Sequence, residues 1–191
     1  FTYTATTVST CATATLTGTI NVNPDVTLVL TSGNDNQTVC INTAIGDIVY
    51  TATDAIDVTV TGLPNGVSGT FNAGVFTISG TPTQTGTFNY TVSTTSNCGS
   101  VVLNGSITVN PDSTLTLTSG NDTQTVCINT PIANITYAST DATDVTVTGL
   151  PNGVTASFAS GVLTISGTPT QAGAFTYTAT TVSTCATATL T

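Results

Sequence analysis

The chain has 191 residues, a mass of 19.1 kDa, a formal net charge of −9, and no Lys, Arg, His, Met or Trp. With neither imidazole nor amine there is no histidine base, no Schiff-base lysine, no Ser-His-Asp or Cys-His pair and no His-ligated zinc or haem. With no basic side chain there is no phosphate clamp for nucleic acid and no attraction to anionic lipid, so the composition argues against an enzyme, a nucleic-acid binder and a membrane-inserted protein.

Threonine supplies 50 residues. With Val and Ile it makes the chain dense in β-branched side chains, which suit a pleated, half-buried surface. No stretch shows a helical apolar period, and no long charge-free apolar run is present. Within residues 24–110, period-two alternation predicts strands near 26–31, 37–41, 47–53, 56–61, 69–72, 75–79, 87–94 and 101–109. Turn chemistry separates them. Leu63-Pro64-Asn65-Gly66 combines a preset φ with residues that tolerate positive φ. Ala73-Gly74 reads as a tight hairpin turn, and Gly80-Thr81-Pro82 ends a strand because Pro removes a ladder donor. Seven or eight short strands in this length predict an antiparallel β-sandwich. Tyr50, Phe88, Tyr90, Val58, Val60 and Ile78 are expected to supply much of its core.

The pattern repeats every 87 residues. Asp57 to Val67 recurs unchanged as Asp144 to Val154, Thr77 to Gln84 as Thr164 to Gln171, and Gln37 to Thr43 as Gln124 to Thr130. Phe1 to Thr17 and Phe175 to Thr191 are identical, two repeats apart. Self-similarity at a fixed period is the signature of a tandem array. The expected organisation is therefore 1–23 as the last strands of a preceding repeat, 24–110 as one complete repeat, and 111–191 as a second repeat truncated in its last strand, all part of a longer array.

The GLPNGV segment followed by FNAGVFTISGTPTQTGTFNYTV, with QTVCINT before it, resembles the signature of PKD-like and Ig-like repeats. It is similar to those arrayed in giant flavobacterial cell-surface adhesins. The resemblance covers the whole chain. It implies an Ig-like fold, a secreted, cell-surface location on a bacterium, adhesion or a structural stalk, and no catalysis or cofactor.

Cys11, Cys98 and Cys185 form one series at the repeat spacing, and Cys40 and Cys127 form another. Two cysteines per secreted domain read as one disulfide. The favoured pairing is within each repeat, Cys40 with Cys98 and Cys127 with Cys185, leaving Cys11 to a partner outside the chain. The alternative joins Cys11 to Cys40 and Cys98 to Cys127. No C-x-x-C spacing suggests a metal. Asp35, Asp54 and Asp57 recur as Asp122, Asp141 and Asp144 and are weak calcium candidates, set against a role as turn formers. Asp112-Ser113-Thr114 resembles a bacterial O-glycosylation acceptor and makes Ser113 a weak glycosylation candidate, although the first repeat has Val26 at that place.

Two functional classes remain. One is a structural and adhesive segment of an extracellular filament, whose partners are neighbouring repeats of the same array. The other is a carbohydrate-binding module whose loops grip surface glycans. The absence of Trp and the placing of Tyr and Phe at alternating strand positions favour the first.

Overall fold

The computed structural model describes residues 1–191 and contains only strands, turns and loops. A leading hairpin pairs β1 (Thr2–Thr6) with β2 (Thr15–Thr19). Eight strands follow in the first complete unit: β3 (Thr27–Ser32), β4 (Asn36–Cys40), β5 (Ile48–Thr53), β6 (Asp57–Thr61), β7 (Val67–Asn72), β8 (Val75–Gly80), β9 (Gly86–Thr95) and β10 (Val102–Asn110). One sheet has the order β3-β5-β8-β7 and the other β4-β10-β9-β6. All neighbours are antiparallel except β4, which lies parallel to β10. Apart from that parallel edge strand, this is the ABED and CFG arrangement of an Ig sandwich.

Alternation decides which side chains enter the space between the sheets. In β5, Ile48, Tyr50 and Ala52 are buried while the intervening residues face outward. In β9, Tyr90, Val92 and Thr94 are buried, and in β10, Ile107 and Val109. The apolar ones among them join Leu28, Val58, Phe76 and Ile78 in one continuous core. Phe88 and Val60 pack against its margin, partly buried. The Ala73-Gly74 turn has φ of 48° and 80°, the paired positive values that match the twist of a two-residue hairpin.

The second unit repeats this plan with β11 (Thr114–Ser119), β12 (Ile135–Thr140), β13 (Asp144–Thr148), β14 (Val154–Ala159), β15 (Val162–Gly167), β16 (Thr178–Val182) and β17 (Thr189–Leu190). Its sheets run β11-β12-β15-β14 and β13-β16-β17. The counterpart of β4, around 123–127, is not a strand here. In the first unit β4 pairs with the residues Ser106–Asn110 of β10, whose counterparts lie outside the 191 residues described. An open cavity of about 1060 Å³ in the second unit is lined by Tyr137, Ile165, Val126 and Leu190 among others.

One hairpin occurs three times in the same register. Ala5 faces Leu16, Val92 faces Leu103 and Ala179 faces Leu190. The register is thus set by local sequence, and it holds even in the leading copy, where Tyr3 and Leu16 are exposed because no second sheet covers them.

Candidate functional site: the junction between the repeats

The cysteines draw attention to the junction. Cys40 ends β4 and lies beside Asn110, the last residue of β10. The Ile41 amide donates to the Asn110 carbonyl at 2.9 Å. Immediately after Asn110 come Pro111, Asp112 and Ser113, which belong to the second unit and hold its 183–188 loop. The Ala186 amide donates to Asp112 Oδ1 at 3.2 Å, and the Ser113 amide and Oγ donate to the Ala186 carbonyl at 3.1 and 2.9 Å. Cys185 sits in that loop, its amide donating to Ser183 Oγ at 3.0 Å. The result is a disulfide between Cys40 and Cys185, with 5.5 Å between their Cα atoms and 145 residues between them in sequence.

This corrects the favoured pairing of Cys40 with Cys98. Cys40 is level with the end of β10, while Cys98 lies in the turn that precedes its start. A nine-residue strand separates them, about 30 Å. A disulfide spans Cα atoms no more than about 7 Å apart. The alternative bond from Cys11 to Cys40 is also absent. Cys11, Cys98 and Cys127 carry free thiols in this structure, Cys11 and Cys127 exposed and Cys98 half-buried.

The remaining site candidates have local structural roles. No three of the carboxylates and cysteines gather into a group that could hold a metal ion. Asp54 and Asp141 occupy left-handed turn positions, with φ of 56° and 57°. Asp57 Oδ1 accepts from the Val58 amide and Asp144 Oδ1 from the Val145 amide, each at 2.8 Å. Asp35 accepts from Asn36 Nδ2 at 2.7 Å, and its carbonyl accepts from the Tyr90 hydroxyl at 3.1 Å. Asp122 lines the open cavity of the second unit. Ser113 is buried, and its hydroxyl is 2.6 Å from Thr181 Oγ1. A glycan there would have to displace both the packing and these bonds, which removes Ser113 as an acceptor in the folded unit.

Two features escaped the sequence reading. Gln37 Nε2 donates to the carbonyls of Asn34 and Gly46 at 3.0 and 2.8 Å, while its Oε1 accepts from the Gly46 amide at 2.9 Å. Gln124 makes the same three bonds to Asn121 and Ala133. The side-chain amide thereby ties a long loop to β4 in the first unit and to its non-strand counterpart in the second. Recurrence of Gln at the repeat spacing was the available signal. The second feature is a pair of tyrosines in each unit: the hydroxyls of Tyr50 and Tyr90 are linked at 3.2 Å, and those of Tyr137 and Tyr177 at 2.5 Å. Burial pushes the hydroxyls of Tyr50, Tyr90 and Tyr177 above the ordinary tyrosine range.

Outside the junction, one shallow polar depression is formed by Asn36, Asn89, Thr91, Asn104 and Ser106. Its groups bond one another: Thr91 Oγ1 donates to Asn104 Oδ1 and Ser106 Oγ to Asn36 Oδ1, both at 2.9 Å. Tyr90 lines its floor but is buried, and the aromatic rings of the first unit are in or against its core.

No family model matches the chain. It is 37% identical over 152 residues to the serine-rich adhesin for platelets of Staphylococcus aureus strain MRSA252, a match that covers 75% of this chain and 11% of that protein. The same adhesin from strain MSSA476 is 36% identical over 152 residues, covering 75% of this chain and 6% of that protein. The chain therefore spans about a tenth or less of the curated relatives it matches. Among solved structures, a variant three-Ig fragment of titin superposes with a TM-score of 0.58 at 10% identity, over 88% of this chain and 64% of that one. The structure of Rst D1-D2 gives 0.55 at 11% identity, over 85% and 97%. At such identities the structural likeness speaks of fold alone, and the fold is tandem Ig-like sandwiches. None of these comparisons names a catalyst.

Proposed function

We propose that the chain is a segment of a long extracellular adhesive protein, in which 87-residue Ig-like repeats serve as a stalk or filament at a bacterial surface. In this reading 24–110 is one whole repeat, 1–23 closes the repeat before it, and 111–191 opens the next. The disulfide that crosses from one unit to its neighbour carries the reading. A bond across a junction limits hinge motion between the units, which a stalk needs and an independent binding domain does not. Similarity to an adhesin supports an extracellular location, and the Cys40–Cys185 bond agrees with it, because disulfides persist in oxidising, extracellular settings. A chain without Lys or Arg also offers no site to trypsin-like proteases. Neighbouring repeats are the principal partners.

Electron microscopy of arrays with increasing repeat number tests the stalk. The expected end-to-end length rises linearly, on the order of 40 Å per repeat if strand length sets the height of a unit. Growth as the square root of repeat number would contradict a stalk. Binding of the isolated chain to a glycan array would move the reading to a carbohydrate-binding module.

A further inference from the structure

The bond between Cys40 and Cys185 has a consequence for the three thiols left free. Cys185 and Cys98 occupy the same place in successive repeats. Cys185 Sγ lies 4.0 Å from the carbonyl oxygen of Asn110, and Cys98 Sγ lies 3.8 Å from that of Asn23, the residue one repeat earlier. Asn110 is the residue that Cys40 sits beside. The lower pole of the first unit is therefore already shaped like the lower pole of the second, with its sulfur held where the bonded one is held. At the other end Cys127 is the counterpart of Cys40, exposed and without a partner.

We propose that the Cys40–Cys185 bond is one rung of a continuous covalent ladder. The second-strand cysteine of every repeat is bonded to the cysteine between the seventh and eighth strands of the next repeat. Cys98 and Cys127 are the half-rungs on either side. The partner of Cys98 is the Cys40-type residue of the preceding repeat, and the partner of Cys127 is the Cys185-type residue of the following one. This rests on reading the chain as part of a longer array. Each rung forms by exchange with an external disulfide, such as that of a secreted thiol oxidoreductase. One S–S bond is made in the array, one is broken in the reagent, and the reagent leaves as two thiols carrying both protons.

The ladder shortens the covalent path through the array. From a rung at Cys98, the chain reaches the next rung at Cys127 after 29 residues, and that rung leads two repeats onward from Cys98. Two repeats contain 174 residues, about 600 Å when fully drawn out, yet the path through the rungs is only about 100 Å. Two such paths run side by side, one entering odd repeats and one entering even ones. Tension would be carried by them before it could unravel a sandwich. The ladder would make the filament nearly inextensible.

The test is disulfide mapping of the intact array, with thiols blocked in acid before digestion. A protease that cuts before Asp separates every cysteine of this chain, into fragments 1–24, 35–46, 57–111, 122–140 and 144–191. The expected result joins 35–46 to 144–191, joins 57–111 to a 35–46-type fragment of the repeat before, and joins 122–140 to a 144–191-type fragment of the repeat after. Both cysteines of each internal repeat then resist alkylation until reduction. Alkylated Cys98 or Cys127 inside an array that is present would overturn the ladder alone, as would bonds closed within one repeat. Absence of any further 87-residue repeat in the intact protein would overturn the array reading, and the ladder with it.

Discussion

Gly69 and Phe76 show how tightly the first core is specified. A Cβ built on Gly69 would lie 2.4 Å from the tip of the Phe76 ring and 2.8 Å from Val60 Cγ1. The second repeat has Ala156 and Leu163 at these places, a larger residue on one strand balanced by a smaller one on the other. Gly69→Ala should therefore destabilise the first unit by about 1–3 kcal/mol through overpacking. Adding Phe76→Leu should recover much of that loss, as a double-mutant cycle in denaturant would read. Additive losses in the double variant would contradict a shared packing volume. The buried tyrosines set a second residue-scale expectation. Their folded-state pKa values lie above the ordinary 10.0, so the neutral hydroxyl is the form the fold favours. That contribution is complete below pH about 10 and is lost as pH rises beyond it. With the thiols alkylated, thermal stability should be level at neutral pH and fall steeply above pH 10. In a Tyr50→Phe, Tyr90→Phe variant the alkaline fall should be shallower.

At the scale of strands, the sequence was largely legible. All eight strands expected in residues 24–110 exist, with ends displaced by one or two residues, because β-branched alternation and the Pro, Asn and Gly turns act locally. Tyr50, Tyr90, Val58 and Ile78 are core residues for the same reason. The β4 counterpart near 123–127 differs, since an edge strand exists only while its neighbour does. Hydrogen exchange in the 191-residue chain should therefore protect the 36–40 amides that bond β10 well above those at 123–127. Equal protection would contradict the dependence of β4 on β10. The disulfide was not legible from cysteine spacing, because spacing says nothing about the pole at which a residue emerges. Topology does: β4 runs parallel to β10, so Cys40 emerges at the end of β10 and Cys98 at its start. Only a cysteine at the lower pole of the next unit is within reach. The same limit applies at Ser113. The acceptor-like triplet is visible in sequence, but its burial against Thr181 depends on a contact 68 residues away.

At the scale of the molecule, the bond encloses residues 41–184, which hold all the strands of both sandwiches except β3, β4 and β17. Closing a loop of 145 residues corresponds to about 5 kcal/mol of chain entropy, part of which is commonly offset. Cys40→Ser should lower the stability of the chain by about 2–5 kcal/mol and free the two units to unfold separately, seen as two calorimetric transitions. An unchanged single transition would mean that non-covalent contacts alone couple them.

Pulling the single 191-residue chain by its termini tests the central claim most directly. If Cys40 is bonded to Cys185, only the residues before 40 and after 185 can extend, giving a contour of about 160 Å in the oxidised chain. Reduction should release the full chain, about 660 Å. An oxidised contour near 260 Å would mean that each repeat closes its own bond. One near 460 Å would mean that Cys11 is joined to Cys40 and Cys98 to Cys127. Either would contradict a staple between neighbouring repeats.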